Sequence, residues 1–175
     1  GKVGPGGVGN ASSLSLWLLP DEGVTTDANG ITSWADQSGN GNDATQVDDA
    51  EKPAFGSTTI NGLQVATFDG NTTQEEGDYL RTNIASLPSS SHTLFAVSDA
   101  VNTNNVGAVF GIADGSYNSV RTLEYDPNIN TVRALQDGSQ TGGVGTGGVS
   151  ILASEFDGSN VNIRVNGGTA DSIGT

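Results

Sequence analysis

Asn-Gly and Asp-Gly dipeptides divide this chain into short segments and constrain its fold more than any other feature. Both dipeptides adopt positive φ angles at little cost, and they are strong hairpin signals where alternating segments flank them. They stand between or beside apolar runs at Asn61-Gly62, Asp69-Gly70, Asp114-Gly115, Asp137-Gly138, Asp157-Gly158 and Asn166-Gly167. No stretch has sustained 3.6-residue periodicity, so the spacing predicts short antiparallel strands.

Apolar runs between these turns predict the strands themselves. Val161, Ile163 and Val165 alternate with Asn162 and Arg164 in the clearest one-face pattern. The predicted strands are Ser12–Leu19, Ile31–Trp34, Ala54–Ile60, Leu63–Phe68, Tyr79–Thr82, Thr93–Val101, Val106–Ile112, Val120–Tyr125, Thr131–Leu135, Val149–Phe156 and Val161–Val165. Their number and spacing favour an all-β antiparallel β-sandwich or jelly roll. We expect one domain over residues 12–175 after a glycine-rich leader over residues 1–11.

The stretch Trp34–Gln46 runs from an apolar approach through a loop of Asp, Ser, Gly and Asn into a second strand-like segment. Asp36 and Ser38 can accept hydrogen bonds from loop amides. Trp34 can anchor the loop if its ring is buried and its indole N–H finds a partner. A structural corner is the interpretation we favour, and a ligand-binding loop is the alternative.

Charge and composition exclude several classes of function. Acidic residues outnumber basic ones 20 to 6, and the formal net charge of −14 repels nucleic acid and anionic membrane surfaces. Cysteine is absent, which removes disulfides and thiolate chemistry. No apolar run reaches the length of about 18 residues that indicates a membrane span. Methionine is absent and the first residue is Gly1, so we expect a processed product or a fragment.

Few residues suggest catalysis. His92 is the one histidine of the chain, and without a Gly-x-Ser-x-Gly motif we interpret it as structural. Glycoside hydrolysis needs two carboxylates that flank the scissile bond. Glu124 and Asp126 are the nearest approach to such a pair, and Pro127 directly after them counts against it.

Residues 69–78 are the richest source of oxygen ligands in the chain. Carboxylate and amide oxygens around two glycines can wrap a hard cation, so the sequence suggests Ca²⁺ as a cofactor. The candidate ligands are Asp69, Asn71, Glu75, Glu76 and Asp78. This is not an EF-hand, because Gln74 and Leu80 stand where that loop needs glycine and a bidentate glutamate. A solvated acidic loop is the alternative.

Several motifs stand in a familiar order along the chain. They are Ser15-Leu16-Trp17-Leu18, Trp34-x-Asp36-Gln37-Ser38-Gly39-Asn40, Phe68-Asp69-Gly70, Asp78-Tyr79-Leu80 and Phe156-Asp157-Gly158-Ser159-Asn160. Together they resemble concanavalin A-like (laminin-G-like) jelly-roll domains of large secreted bacterial surface proteins and adhesins. Such domains usually continue past an Asn-Gly hairpin into a last strand. Because this chain stops at Thr175, the resemblance implies that the last strand is removed or is supplied by another chain.

The resemblance implies a non-catalytic extracellular module for adhesion or glycan binding on a bacterial cell surface. In jelly-roll lectins, sugars commonly dock on an aromatic platform with Asp or Asn hydrogen bonds beside it. The loop around Tyr117 offers that ring, with Asp114 and Asn118 as the polar partners. The expected partner is a glycan or another cell-surface ligand, neighbouring copies, or the rest of a larger surface protein.

Two alternatives stay open. A sandwich without its terminal strand exposes an unpaired edge, which would suit a structural subunit of an extracellular assembly completed by strand addition. The same fold also carries glucanases and polysaccharide lyases, and Glu124 is the residue whose change to glutamine would test that activity.

Overall fold

Every strand pair that the structure describes is antiparallel, and the strands lie in two compact units. The structure is a computed structural model that describes residues 4, 10, 13–69, 77–84, 91–99, 107–113, 120–126, 131–136, 139–140, 144–145 and 148–174. The first unit spans Gly1–Leu87 and the second Pro88–Thr175. In those described ranges, no helix has the length and apolar character needed to cross a membrane. The all-β prediction is confirmed, and the single domain over residues 12–175 stays a prediction.

The first unit contains a three-stranded sheet and a separate hairpin. The sheet has the order β1 (Val24–Thr26), β2 (Ile31–Trp34), β3 (Ala44–Thr45), and the hairpin pairs β4 (Ala54–Ile60) with β5 (Leu63–Thr67). Asn61 and Gly62 join β4 to β5 with φ angles of 51° and 82°. Two successive positive φ angles are the geometry of a tight two-residue hairpin turn, as the Asn-Gly dipeptide predicts.

The second unit contains two larger sheets. Its strands are β6 (His92–Asp99), β7 (Gly107–Ala113), β8 (Val120–Asp126), β9 (Thr131–Gln136), β10 (Ser139–Gln140), β11 (Val144–Gly145), β12 (Val149–Phe156), β13 (Asn160–Val165) and β14 (Asp171–Gly174). One sheet has the order β10-β9-β8-β7 with β11 also paired to β9, and the other has the order β14-β13-β12-β6.

Among the described residues, an apolar core joins these two sheets. The first sheet contributes side chains from β8 and β9, and the second contributes them from β12 and β13. The buried members are Leu123, Tyr125, Val132, Ala134, Leu152, Phe156, Val161, Ile163 and Val165. Each large apolar side chain that is fully buried stabilises the fold by about 1.5–3 kcal/mol. Two antiparallel sheets that share one core are consistent with a β-sandwich.

Most predicted strands are present, and their ends differ from the predicted ones by no more than two residues. The bounds of Ile31–Trp34, Ala54–Ile60 and Val149–Phe156 are those predicted. The sequence did not predict β1, β10, β11 or β14, which are two to four residues long. β14 pairs with β13 from Asn160 to Ile163, so a strand of this chain covers that edge of the sheet.

Two strand predictions are wrong. Residues 14–19, here called the strap, form no ladder, and Leu19 makes only an isolated bridge with Glu22. The segment Tyr79–Thr82 likewise has one bridge, from Arg81 to Thr45. The crowded apolar residues of the strap are typical of a buried strand, but its backbone groups bond to side chains of the loop over residues 35–43, here called the corner loop.

The corner loop holds the strap by its main chain. Asn40 Nδ2 donates to the carbonyl oxygen of Leu14 at 2.6 Å, and Asn42 Nδ2 donates to that of Ser15 at 2.7 Å. Trp34, just before the loop, donates its indole N–H to the Leu19 carbonyl at 2.7 Å. These contacts support the structural-corner interpretation of this stretch.

Candidate functional site

The sheet β14-β13-β12-β6 has an outer face, opposite the core, with an unusual distribution of side chains. In β12 the serines Ser150 and Ser154 are buried, whereas Val149 and Ile151 are 46% and 56% exposed. A strand with one buried face ordinarily places its apolar residues inward. β12 therefore presents apolar side chains outward at positions where solubility alone favours polar ones.

Apolar side chains of β6 extend this surface. Phe95 is 71% exposed and Val97 is 62% exposed. The register places Val97 opposite Ile151 and Phe95 opposite Ala153, so the exposed side chains are neighbours across the two strands. Contiguous exposed apolar surface on a soluble protein commonly marks a place of interaction.

Polar side chains occupy the other end of the outer face. Thr93 of β6 lies opposite Glu155 of β12, and Glu155 lies opposite Asn162 of β13. Ser172 of β14 continues the row, and its hydroxyl donates to the side-chain oxygen of Asn162. The face thus changes from apolar to polar along the strand direction, with Phe95 at the boundary.

A shallow depression of about 230 Å³ lies at this boundary. Its lining is Thr93, Phe95, Ala153, Glu155, Asn162 and Arg164. Ala153 stands between Phe95 and Arg164 in the register, so a methyl group separates an aromatic ring from a guanidinium group. Phe95 and Arg164 are two strand spacings apart, so their backbones are separated by about 9.6 Å.

The depression carries one charge of each sign. Glu155 and Arg164 are both exposed, and Arg164 Nη1 donates to the carbonyl oxygen of Gly168 at 3.2 Å. With Asn162 and Thr93 these groups offer both donors and acceptors. Glu155 is the one carboxylate among the described residues that line the depression.

The binding residues predicted from the sequence, Tyr117, Asp114 and Asn118, lie outside the described residues. Their prediction rests on loop polarity. The sequence contains one signal for the outer face, which is the inverted alternation of Ser150 and Ser154 with Val149 and Ile151. The sequence predicts β12 as a strand and does not assign its faces.

Of the predicted calcium ligands, the structure describes Asp69 and Asp78 and brings them together. Asp78 Oδ2 accepts a hydrogen bond from the backbone N–H of Asp69 at 2.8 Å. Burial and then the nearby Asp69 carboxylate raise the pKa of Asp78, against the lowering effect of that hydrogen bond. Asn71, Glu75 and Glu76 lie outside the described residues, and the described ones contain no group of three metal-ligating side chains.

Glu124 has a structural partner. Arg133 Nε donates to Glu124 Oε1 at 2.5 Å across β8 and β9, and the side chains of Arg133 and Glu124 are 18% and 11% exposed. The side chain of Asp126 lies outside the described residues. His92 packs its ring against Phe156 at a centroid distance of 5.4 Å, which is consistent with the structural interpretation of this histidine.

An ion-pair cluster supports the turn between β1 and β2. Lys52 has a side chain only 5% exposed, and its Nζ donates to Asp27 Oδ2 at 2.6 Å and to Asp49 Oδ1. The hydrogen bond to Asp27, followed by that to Asp49, raises the pKa of Lys52. The Lys52 ammonium in turn lowers the pKa of both carboxyl groups.

Comparisons of this chain with protein-family models, with curated proteins and with solved structures found no match.

Proposed function

We propose that this chain is a non-catalytic carbohydrate-binding module for adhesion, and that its ligand docks in the depression on the outer face of the β6-β12-β13 sheet. The observation that carries the proposal is Phe95, an aromatic side chain 71% exposed beside a row of polar groups. A sugar ring has one apolar face of C–H groups and a rim of hydroxyls, and this surface offers a partner for each.

The aromatic ring supplies the apolar contact. Phenylalanine is costly to expose, and its flat ring gives a large contact area with little loss of side-chain entropy on binding. Ala153 leaves room beside the ring, so a sugar lying on Phe95 can reach Arg164 across the depression.

The polar row orients the ligand through directional hydrogen bonds. Glu155 accepts hydrogen bonds from ligand hydroxyls, Arg164 donates them, and Asn162 and Thr93 do both. A small number of polar groups around an apolar surface is typical of small-molecule sites. The net charge of −14 works against polyanionic ligands, so neutral glycans are the expected class.

The same proposal includes the fold family and the location. All-antiparallel sheets around a shared core support a jelly roll of the concanavalin A-like kind. The acidic composition without cysteine is consistent with secretion to a bacterial cell surface, where many proteins have no disulfides.

A glycan array of the purified protein tests the proposal. Phe95→Ala should weaken binding of any glycan hit about tenfold or more, equivalent to about 1.4 kcal/mol, because it removes the stacking surface. Arg164→Ala should weaken it as well. Val47→Ala is the matched control, since Val47 is 90% exposed and lies in the first unit. Unchanged binding by Phe95→Ala would remove this site, and an array without hits would remove the function.

A second candidate is a structural subunit assembled by strand addition, and the edge of β6 favours it. β6 pairs with β12 on one side, and no described strand pairs with its other side. Its eight residues contain no proline or lysine, and its ladder with β12 has no register shift. Proline, lysine and bulges are features that block strand addition at natural edges.

Light scattering after size exclusion tests this assembly. Self-association that rises with concentration supports it, and Val97→Lys should reduce that association by adding charge beside the edge. Val47→Lys is the matched control in the first unit. A monomer at all concentrations would contradict assembly by this edge.

A further inference from the structure

The chain contains four Asn-Gly dipeptides, at Asn29, Asn40, Asn61 and Asn166, and all four asparagines are exposed. Asparagine followed by glycine is prone to spontaneous deamidation, because glycine has no side chain to hinder attack by its own backbone nitrogen. Exposure therefore does not distinguish the four positions. The four positions differ in their hydrogen bonds and in the sheets that hold them.

We propose that Asn61 is the site at which the folded protein deamidates first. The backbone nitrogen of Gly62 attacks the side-chain carbonyl carbon of Asn61, a C–N bond forms, and ammonia leaves with the side-chain nitrogen. Solvent water then opens the resulting five-membered succinimide at either carbonyl and gives aspartate or isoaspartate. The net reaction consumes one water, releases one ammonia and involves no oxidation or reduction.

Hydrogen bonds restrain a reacting group at each of the other three positions. Asn40 Nδ2 donates to the Leu14 carbonyl at 2.6 Å and to Ser38 Oγ at 3.1 Å. At Asn29 the restraint acts on the attacking group, because the Gly30 N–H donates to Asp27 Oδ1 at 3.2 Å. The bonds of Asn40 hold the side chain that must rotate towards the backbone, and the bond of Gly30 holds the nitrogen that must attack it.

Asn166 is held at two points. Its side-chain oxygen accepts the Ile151 N–H at 2.9 Å, and its own N–H donates to the Ile151 carbonyl at 2.8 Å. By contrast, the side chain of Asn61 makes no hydrogen bond within the part of the chain that the structure describes. The Asn61 side chain therefore has no such restraint there.

The sheets that carry Asn61 and Asn166 also differ in a way that favours reaction at Asn61. Asn61 closes the two-stranded sheet of β4 and β5, in which no residue is buried. Asn166 follows β13, whose Val161, Ile163 and Val165 belong to the core. A two-stranded hairpin is marginally stable, and its turn opens at a lower free energy than a strand end anchored in a core. The tight turn must open before the Gly62 nitrogen can reach its target, so this difference favours Asn61.

The modification changes the surface of the hairpin. Deamidation adds one negative charge to a chain that already carries −14. The isoaspartate product also lengthens the backbone by one atom, which breaks a turn that depends on two successive positive φ angles.

Mass spectrometry of aged protein tests the proposal. The folded protein is incubated at 37 °C in mildly alkaline buffer and cleaved after glutamate, which places Asn61 in the peptide 52–75 and separates it from the peptides 23–51 and 156–175. Deamidation raises a peptide mass by about 1 Da, and fragmentation locates the change. We expect Asn61 to convert about tenfold faster than Asn166.

Two controls isolate the structural cause. In concentrated urea the four Asn-Gly sites should convert at similar rates, since only the fold distinguishes them. Asn61→Gln should suppress conversion at that position and leave the other three sites unchanged, because the glutamine ring closure is slower. Conversion of Asn29, Asn40 or Asn166 as fast as Asn61 in the folded protein would overturn the proposal. So would a stable Asn61 in folded protein over a period in which the denatured chain converts.

Discussion

The carboxylate of Asp36 accepts the backbone N–H of Trp17 at 2.9 Å, although the two residues are 19 positions apart. The same side chain accepts the Ser38 N–H at 2.9 Å and its hydroxyl at 2.6 Å, and the Asn42 N–H at 3.1 Å. Burial alone would raise the pKa of Asp36, but these four hydrogen bonds outweigh it and lower the pKa below its ordinary value. One carboxylate therefore joins the strap to the corner loop.

Asp36→Asn should destabilise the first unit by about 2 kcal/mol. The amide keeps the shape of the side chain but replaces one acceptor oxygen with a donor, and hydrogen bonds to a charged group contribute about 1.5–3 kcal/mol each. Urea unfolding followed by tryptophan fluorescence measures the loss. The two tryptophans, Trp17 and Trp34, lie in the strap and at the end of β2, so the signal reports on this region.

Asp21→Asn is the matched control for that change. Asp21 is exposed and lies close to the strap in sequence, so its substitution should change the free energy of unfolding by less than about 0.5 kcal/mol. Equal effects of the two substitutions would mean that Asp36 acts only through net charge.

The cluster of Lys52, Asp27 and Asp49 predicts a dependence of stability on pH. Both carboxyl groups have a lowered pKa, so their contribution is complete above the unfolded value of about 3.9 and is lost as the pH falls through the folded pKa. The raised pKa of Lys52 affects stability at high pH. The contribution of Lys52 to the free energy of unfolding is lost as the pH rises through its folded pKa.

Lys52→Met should therefore flatten part of the fall in unfolding free energy below about pH 4. Fluorescence-detected urea unfolding at a series of pH values gives the slopes. Asp21→Asn removes a carboxylate outside the cluster and should leave most of the slope in place. If Lys52→Met keeps the full slope of the wild type, other carboxyl groups are responsible for the acid sensitivity.

The ion pair of Glu124 and Arg133 should stabilise the second unit against unfolding. Arg133→Met removes the cation from a carboxylate that is 11% exposed, and such a loss costs about 3 kcal/mol or more. The double variant with Glu124→Gln should recover much of that loss, since no buried charge remains. Thermal unfolding by circular dichroism measures both.

Arg164→Met serves as the comparison, because Arg164 is exposed. A double variant as unstable as Arg133→Met would show that the carboxylate charge is not the cause. The same measurement is needed in any assay of polysaccharide cleavage, because lost turnover in Glu124→Gln counts as catalytic only if the variant remains folded.

Calcium should stabilise the protein if the loop that follows Asp69 and ends at Asp78 binds it. A ligand that binds only the folded state stabilises it by about 2.7 kcal/mol at a concentration one hundred times Kd. The melting temperature should rise in CaCl₂ more than in NaCl of equal ionic strength, and should fall with a chelator.

Asp78→Asn should abolish the calcium-specific rise in melting temperature, whereas Asp99→Asn, which changes an exposed acid on β6, should keep it. Equal shifts in the two salts would reduce the effect to screening of the net charge.

Turn chemistry made much of the fold predictable. Asn61 and Gly62 determine their hairpin locally, because two positive φ angles are a property of those two residues. The strap could not be predicted in this way. Its apolar residues favour a strand, and the competing interaction comes from Asp36, Asn40 and Asn42, which are close only after folding.

The candidate site was harder to predict for a related reason. In β12, serines occupy one face together with apolar residues, and valine and isoleucine occupy the other. Periodicity therefore identifies the strand, but it does not show which face is buried in the core. The core takes Leu152 and Phe156, and Ser150 and Ser154 follow them inward because they share that side of the strand.

The contacts of the corner loop with the strap have a consequence for protein engineering. Asn40, Asn42 and Asp36 reach the carbonyls of Leu14 and Ser15 and the N–H of Trp17, and every one of these strap groups belongs to the peptide backbone. These contacts depend on the position of the strap backbone and not on which side chain each strap residue carries. Positions such as Ser15 are therefore suitable for a cysteine label or a grafted epitope, because substitution there leaves the anchoring groups in place.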